Sequence, residues 1–333
     1  MTNPRRPITT LTAQKKHAPQ ALLMTGLLCL SLQTVCLSAL AAEAIDKQIT
    51  VADTPKIELK VQRGDVIITS WDKNEISVKG TLDELSEGFV FEQQGHSVKI
   101  EDVMPRSYQG NNTDGSQLTI TLPRSLSLDA SGVSANYQVT NLSGDISVAL
   151  VSGNLKAEAL EGKNQLHTVS GNIESNNVSG KSRLDTVSGR INDKASMGEM
   201  SYRLVSGNLV SVSQAERINI EQVSGNVNAE INSASQVEMK IISGDATLHL
   251  PQNVNHINAD SVSGDITMSF SGIPDANVMI NGGPGGKISN KLTDDVPVKE
   301  KYSRHASLEF SSGNGQGDIK LSTISGRLTL KQQ

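Results

Sequence analysis

The sequence predicts an all-β fold, a parallel β-solenoid (β-helix) with 18-residue coils, each built from two similar nine-residue halves. Three observations predict it. V-S-G or I-S-G triplets begin at Val151, Val169, Val187, Val205, Val223, Ile242 and Val262, spaced by 18, 18, 18, 18, 19 and 20 residues. Weaker copies stand half-way between, L-E-G at 160, V-S-G at 178 and S-M-G at 196. Between triplets, apolar and polar residues alternate with period two, as in a strand with one buried face. A unit this short cannot bury its own apolar side, so successive units must stack.

Residues 1–41 read as a secretory signal peptide. Arg5, Arg6, Lys15 and Lys16 give a basic start without acidic residues. The apolar run ALLMTGLLCLSLQTVCLSALAA follows, and Ala39-Leu40-Ala41 supplies small residues at a cleavage site. An uncleaved membrane anchor is the alternative, although Gln33 and Thr34 interrupt the run. Cys29 and Cys36 both lie in this segment, without the small preceding residue a lipidation site wants. A mature chain would then carry no cysteine, hence no disulfide and no Cys-based metal site.

Residues 42–130 are expected to form an N-terminal β region that caps or opens the solenoid. KIELKVQRGDVIITSWDKNEISVKG holds two alternating runs around a turn, and QLTITLPRSL another. Gly64-Asp65 looks like a degenerate corner, and the Arg63-Gly64-Asp65 triplet is read as part of that turn rather than as a receptor motif.

Residues 131–270 are the solenoid repeats. Three residues before the triplet stand Leu166, Leu184, Tyr202, Ile220, Met239 and Ala259; two before it stand His167, Asp185, Arg203, Glu221, Lys240 and Asp260. Ser-Gly-Asn/Asp is turn chemistry, with Asn or Asp bonding local backbone. The triplet Val or Ile is expected to point inward beside the corner. The outer column Asp185, Arg203, Glu221, Lys240, Asp260 alternates in sign and reads as a stabilising ladder. Residues 271–333 are expected to comprise an irregular loop and a closing coil, GDIKLSTISGRLTLKQQ. NGGPGGKIS in that loop fails as a phosphate loop, because Asn281 and Ile288 occupy positions that need Gly and Ser or Thr.

Composition narrows the function. The chain carries a net charge of −5; without the four basic residues of the leader, 26 basic face 35 acidic residues, a net charge of −9. That balance disfavours nucleic acid as a partner. Polysaccharide-cleaving solenoids need converging carboxylates and sugar-stacking aromatics, and this chain has one Trp (Trp71), four Tyr and four Phe. Calcium β-rolls share the nine-residue beat but need G-G-x-G-x-D, so Asp245 and Asp265 read as turn residues. His249 and His256 fit no metal spacing.

The Gly64-Asp65-Val66 strand before Trp71-Asp72, the V-S-G-[ND]-[LI] coils and the terminal G-Q-G-D-I-K-L-S-T-I-S-G-R-L-T-L together resemble the bacterial putative-adhesin family, envelope β-strand-repeat proteins of unknown function. The resemblance spans roughly residues 50–333 and implies the fold and an adhesive role, but no catalytic, cofactor-binding or metal residues. The expectation is therefore a non-enzymatic exported β-repeat protein with an adhesive, interaction or structural role at the bacterial cell envelope, periplasmic or at the cell surface. Its expected partner is an envelope protein or glycan, with no small-molecule cofactor. Binding is expected to spread over several coils, because no single column concentrates aromatics or one sign of charge. The alternative is a carbohydrate-active β-helix enzyme, a lyase or hydrolase.

Overall fold

The structure is a computed structural model that describes residues 43–107, 114–299, 302 and 304–333. The expected leader, 1–41, lies outside the described residues. Every described strand belongs to one unit, within residues 40–333. All regular elements among the described residues are strands, 25 in number, and no described helix is long and apolar enough to cross a membrane.

The repeats wind into stacked coils with two sheet faces. Strands that precede each S-G corner form the first face, in the order Ser143–Ser152, Glu161–Ser170, the front half of Ser179–Lys194, the front half of Glu199–Ser213, Arg217–Ser224, Gln236–Ser243 and His256–Ser263. Strands that follow it form the second face, among them Leu155–Glu158, Ile173–Asn176, Val227–Ile231, Ala246–Leu250 and Ile266–Phe270. Every one of these pairings is parallel and one coil apart. The spacings of 19 and 20 arise at the other corner, where the connections after Ile231 and after Leu250 lengthen.

Stacking extends beyond the recognisable triplets. Lys56–Lys60 and Arg63–Trp71 lie in parallel against the two halves of Ser125–Thr140, so that Asp65 stands beside Asn136 in the corner column. At this end the faces close with antiparallel strands: Ala44–Thr50 on Glu75–Thr81, and Gly88–Gln94 on Ser97–Val103. At the other end Ala276–Asn281 and Gly285–Lys291 add one rung to each face on Gly317–Gln332, and Ala306–Ser312 covers the first in antiparallel sense.

The core is a set of aliphatic ladders. Leu166, Leu184, Tyr202, Ile220, Met239 and Ala259 fill one column and Leu155, Ile173, Ile191, Leu209, Val227, Ala246 and Ile266 face them, all buried. Where one column is small the core is filled from elsewhere: the coil of Ala259 also carries Met268 and Phe270, both buried. Tyr137 reaches across the core to donate to the Ser131 carbonyl at 2.9 Å. Burial pushes its phenol well above the usual range, so it remains a neutral donor.

Two kinds of corner hold the coils. At the S-G corner, backbone approaches backbone: a Cβ on Gly207 would stand 1.7 Å from the Gly189 carbonyl oxygen. The Asn or Asp after each glycine bonds not its own turn but the next coil. Asn154 accepts from the Asn172 amide at 3.2 Å, Asn172 from Arg190 at 2.9 Å, Asn226 from Asp245 at 3.3 Å and Asp245 from Asp265 at 2.9 Å. Just inside the corner, Thr186 and Gln222 donate to the Gly171 and Gly207 carbonyls at 3.3 and 3.0 Å. The Gly171 and Gly207 corner carbonyls thereby gain a donor from the neighbouring rung.

At the second corner the chain turns through a left-handed residue, Asn141, Ala159, Asn177 or Ala195, with φ between 52° and 58°. That conformation costs a non-glycine L-residue about 1–2 kcal/mol, and Asn tolerates it better than Ala. Ala159→Asn, matching its neighbours on both sides, should therefore stabilise the protein by about 0.5 kcal/mol or more. Denaturant unfolding checks this, and a variant no more stable than the parent would remove left-handed strain from the account of this corner.

Candidate interaction face

Strand parity fixes what each face shows. Counting by two from buried Leu166 or Tyr202, the next inward residue is Thr168 or Leu204, both buried, and the triplet Val then points outward. This corrects the expectation that Val151, Val169, Val187, Val205, Val223, Ile242 and Val262 stack inside. They are 38–52 % exposed. Val133 and Ile324 join them in register, one beyond each end. The result is a straight column of nine β-branched aliphatic side chains running over nine successive coils. An exposed serine column, Ser134, Ser152, Ser170, Ser188, Ser206, Ser224, Ser243, Ser263 and Ser325, runs beside it. The nine aliphatic residues leave on the order of 700 Å² accessible, more than the largest apolar patch a monomeric protein ordinarily presents. Aromatics and charge are dispersed over the coils, as the sequence suggests, but aliphatic surface is concentrated in this one column.

The charge column lies on the same face, two residues before the aliphatic one. The register places Asp185, Arg203, Glu221, Lys240 and Asp260 side by side, followed by Ser322. One expected contact forms directly, Arg203 to Glu221 at 2.9 Å. Asp185 instead pairs with Arg183 on its own strand at 2.8 Å, and Asp260 accepts from Ser322 at 2.5 Å. A further ladder escaped the sequence reading: Glu199 pairs with Lys181 at 2.9 Å and lies 3.9 Å from Arg217. Toward the first coils the flanking column shrinks to His167, Ala149 and Ser131. A depression of about 350 Å³ opens there against Val133, Val151 and Val169.

The residues that could suggest chemistry are differently placed. Asp193 is fully buried and accepts from Ser175 and Ser196 at 2.5 Å, Tyr202 at 2.7 Å and Ser211 at 3.4 Å. Burial, and then the adjoining Asp193 carboxylate, push the Tyr202 phenol well above its ordinary range, so it stays a donor to that carboxylate. Asp102 is held likewise by Ser86 and Ser116 at 2.5 Å. These carboxylates tie rungs together inside the core, where no substrate reaches them. Arg63 is buried and 3.2 Å from Asp83, while Asp65 accepts from Asn136 and Gln117, so the Arg63-Gly64-Asp65 triplet is not presented as a motif. His249 and His256 lie on opposite faces of the coils. Asp245 and Asp265 belong to the corner ladder. Trp71 donates to the Glu75 carbonyl at 2.7 Å and carries Lys73 over its ring at 5.0 Å. Among the described residues no group of three or more His, Cys, Asp or Glu converges as metal ligands do.

A family model, Toastrack DUF4097, matches residues 54–331, nearly the whole stack. The chain belongs to the Toastrack DUF4097 family. This Toastrack chain is similar in fold to solved structures of a putative adhesin from Bacteroides fragilis (12 % identity, 88 % of this chain and 98 % of that one, TM-score 0.37). It is also similar to a putative adhesin from Parabacteroides merdae (15 %, 70 % and 93 %, TM-score 0.40). A third is a putative lipid binding protein from Parabacteroides distasonis (12 %, 86 % and 97 %, TM-score 0.31). No curated protein matches the chain.

The Toastrack charge column yields a direct test. Arg203→Glu would set a carboxylate between Asp185 and Glu221, at a site where both pair members are more than a third exposed. The expected loss is about 0.5–1 kcal/mol at low salt, shrinking as salt screens it. Unfolding curves at low and high salt measure it, and equal stability of the variant and parent at low salt would show that the column contributes nothing.

Proposed function

We propose that this Toastrack protein is exported and acts at the bacterial cell envelope as a non-enzymatic interaction module. Its partner is a macromolecule, an envelope protein or glycan, engaged along the first face across several coils. The observation that carries this reading is the nine-rung aliphatic column, an apolar surface too long for a small ligand and too large to be left bare. In the flanking column Asp185, Glu221 and Asp260 are engaged by Arg183, Arg203 and Ser322, and the buried Asp102 and Asp193 are closed off, which favours binding over turnover. The basic and apolar leader with its A-x-A site, the absence of cysteine after residue 36 and the acidic balance support export.

Retention of purified protein on isolated envelope fragments, with soluble sugar products assayed in the same samples, tests the reading. Val205→Asp with Val223→Asp changes only exposed side chains and should preserve the melting temperature while lowering retention about tenfold or more. Undiminished retention by a folded double variant would remove the face from the function. Release of oligosaccharides, abolished by changing one or two carboxylates, would establish the carbohydrate-active alternative instead.

A further inference from the structure

Resting on the reading of the first face as the interaction surface, we propose that a second copy of this chain occupies it. The two stacks would run antiparallel about a two-fold axis between Val205 and Val223. Such a pairing is isologous: each copy offers the same patch, so one self-complementary surface suffices.

The charge column selects this arrangement. A two-fold axis in the plane of the interface and perpendicular to the aliphatic column brings each outer column opposite itself, reversed. With the axis between Val205 and Val223, Arg203 faces Glu221 of the second copy, Asp185 faces Lys240, and His167 faces Asp260. The central Arg203–Glu221 pair, already 2.9 Å apart within one chain, becomes a ring of four charges of alternating sign. One column further from the corner, the same operation sets Arg183 opposite Glu238. Lys240, which stands between Glu221 and Asp260 in its own column, gains Asp185 of the second copy as a further acidic neighbour.

Moving the axis by half a rung, which shifts the pairing by one rung, reverses the result. Centred on Val205, Arg203 meets itself and Asp185 meets Glu221; centred on Val223, Glu221 meets itself, Arg203 meets Lys240 and Asp185 meets Asp260. Like charges so placed repel, and the register is thereby specified. Shifts of two rungs restore opposite signs in this column but take Arg183 away from Glu238, setting it opposite Ser201 or Lys320. The chosen axis keeps eight of the nine aliphatic rungs in contact, Val151 against Ile324 at the ends.

Area agrees. A stable interface covers roughly 800 Å² on each partner. The eight aliphatic rungs in contact expose on the order of 600 Å², and the flanking serine and charged columns supply the remainder. The alternative two-fold, parallel to the column, would set the charged column of each copy over the receding corner of the other and bury little more than the aliphatic rungs.

Sedimentation velocity of the purified protein over a range of concentrations tests self-association. A dimer is expected, and Val205→Asp with Val223→Asp should weaken it at least about 100-fold, with the melting temperature unchanged at concentrations low enough for the parent to be monomeric. Cross-linking with a short bismaleimide tests the arrangement in a Cys29→Ser, Cys36→Ser background. Val151→Cys copies should not link to each other, because the antiparallel pairing leaves them about 34 Å apart along the column. Val151→Cys mixed with Ile324→Cys should link. A protein that stays monomeric at about 100 μM, well above the Kd of an ordinary specific interface, would overturn the proposal. So would Val151→Cys copies that link to one another, or a dimer indifferent to the double Asp variant. A monomer whose retention on envelope fragments still depends on Val205 and Val223 would overturn self-pairing alone and leave the functional reading intact, with another macromolecule on the face.

Discussion

The structure depends on one close contact, the approach of each S-G corner to the corner below it. Stacked strands sit at the sheet spacing of about 4.8 Å, and at the corner the chain turns without leaving that spacing. The α-carbon of each glycine therefore lies against the carbonyl of its predecessor. A side chain has no room there: added Cβ atoms at Gly189, Gly207, Gly225, Gly244 and Gly264 would fall 1.7–1.9 Å from a backbone oxygen. Conformation is the lesser requirement, since Gly189 lies outside the left-handed region that Gly207 and Gly225 occupy, yet it is equally confined. The glycine beat is thus a packing condition before it is a turn preference.

From that contact the placement of the other columns follows. Holding every corner in register lines up the residues on either side, so identical positions become ladders. Inward positions collect aliphatic groups and side-chain donors that serve the corner carbonyls, as the Thr186 hydroxyl and the Gln222 amide do. The position after the glycine collects Asn and Asp because their side-chain oxygens meet the next coil's amide. Arg190 cannot accept such a bond, and the ladder resumes at Asn208, which accepts from the Asn226 amide at 3.0 Å. The same register stacks the outward Val of every coil into the one continuous apolar feature of the first face. Fold and candidate interaction surface therefore come from a single repeated constraint.

Much of this was legible in the sequence. The period, the two halves of the coil, the S-G corners and the charge column all followed from spacing and alternation. The outward turn of the triplet Val is legible too, by parity from Leu166 or Tyr202, but the hydrophobicity of the residue argues the other way. In a solenoid an inward reading matters, because it hides the candidate interaction face inside the core. The cross-coil role of Asn172 and Asn226 could not be read from one coil, since a side chain bonding its own turn and one bonding the next carry the same local signature. Asp193 stands at an inward position by the same parity as Ile191. Its burial was readable, whereas its four hydroxyl donors, drawn from three rungs, were not. The antiparallel strands that close both ends lack the repeat and gave no signal of their pairing.

The central claim is that coil stacking rests on glycine at the corner, and substitution at one interior corner tests it most directly. Gly207→Ala should destabilise the protein by at least about 3 kcal/mol or prevent the stack from forming, through a backbone clash at 1.7 Å together with a φ of +153°. The adjacent Ser206→Ala, on an exposed side chain, should change stability by no more than about 0.5 kcal/mol. Equilibrium unfolding of the two variants beside the parent decides the matter. A Gly207→Ala protein as stable as Ser206→Ala would contradict the account.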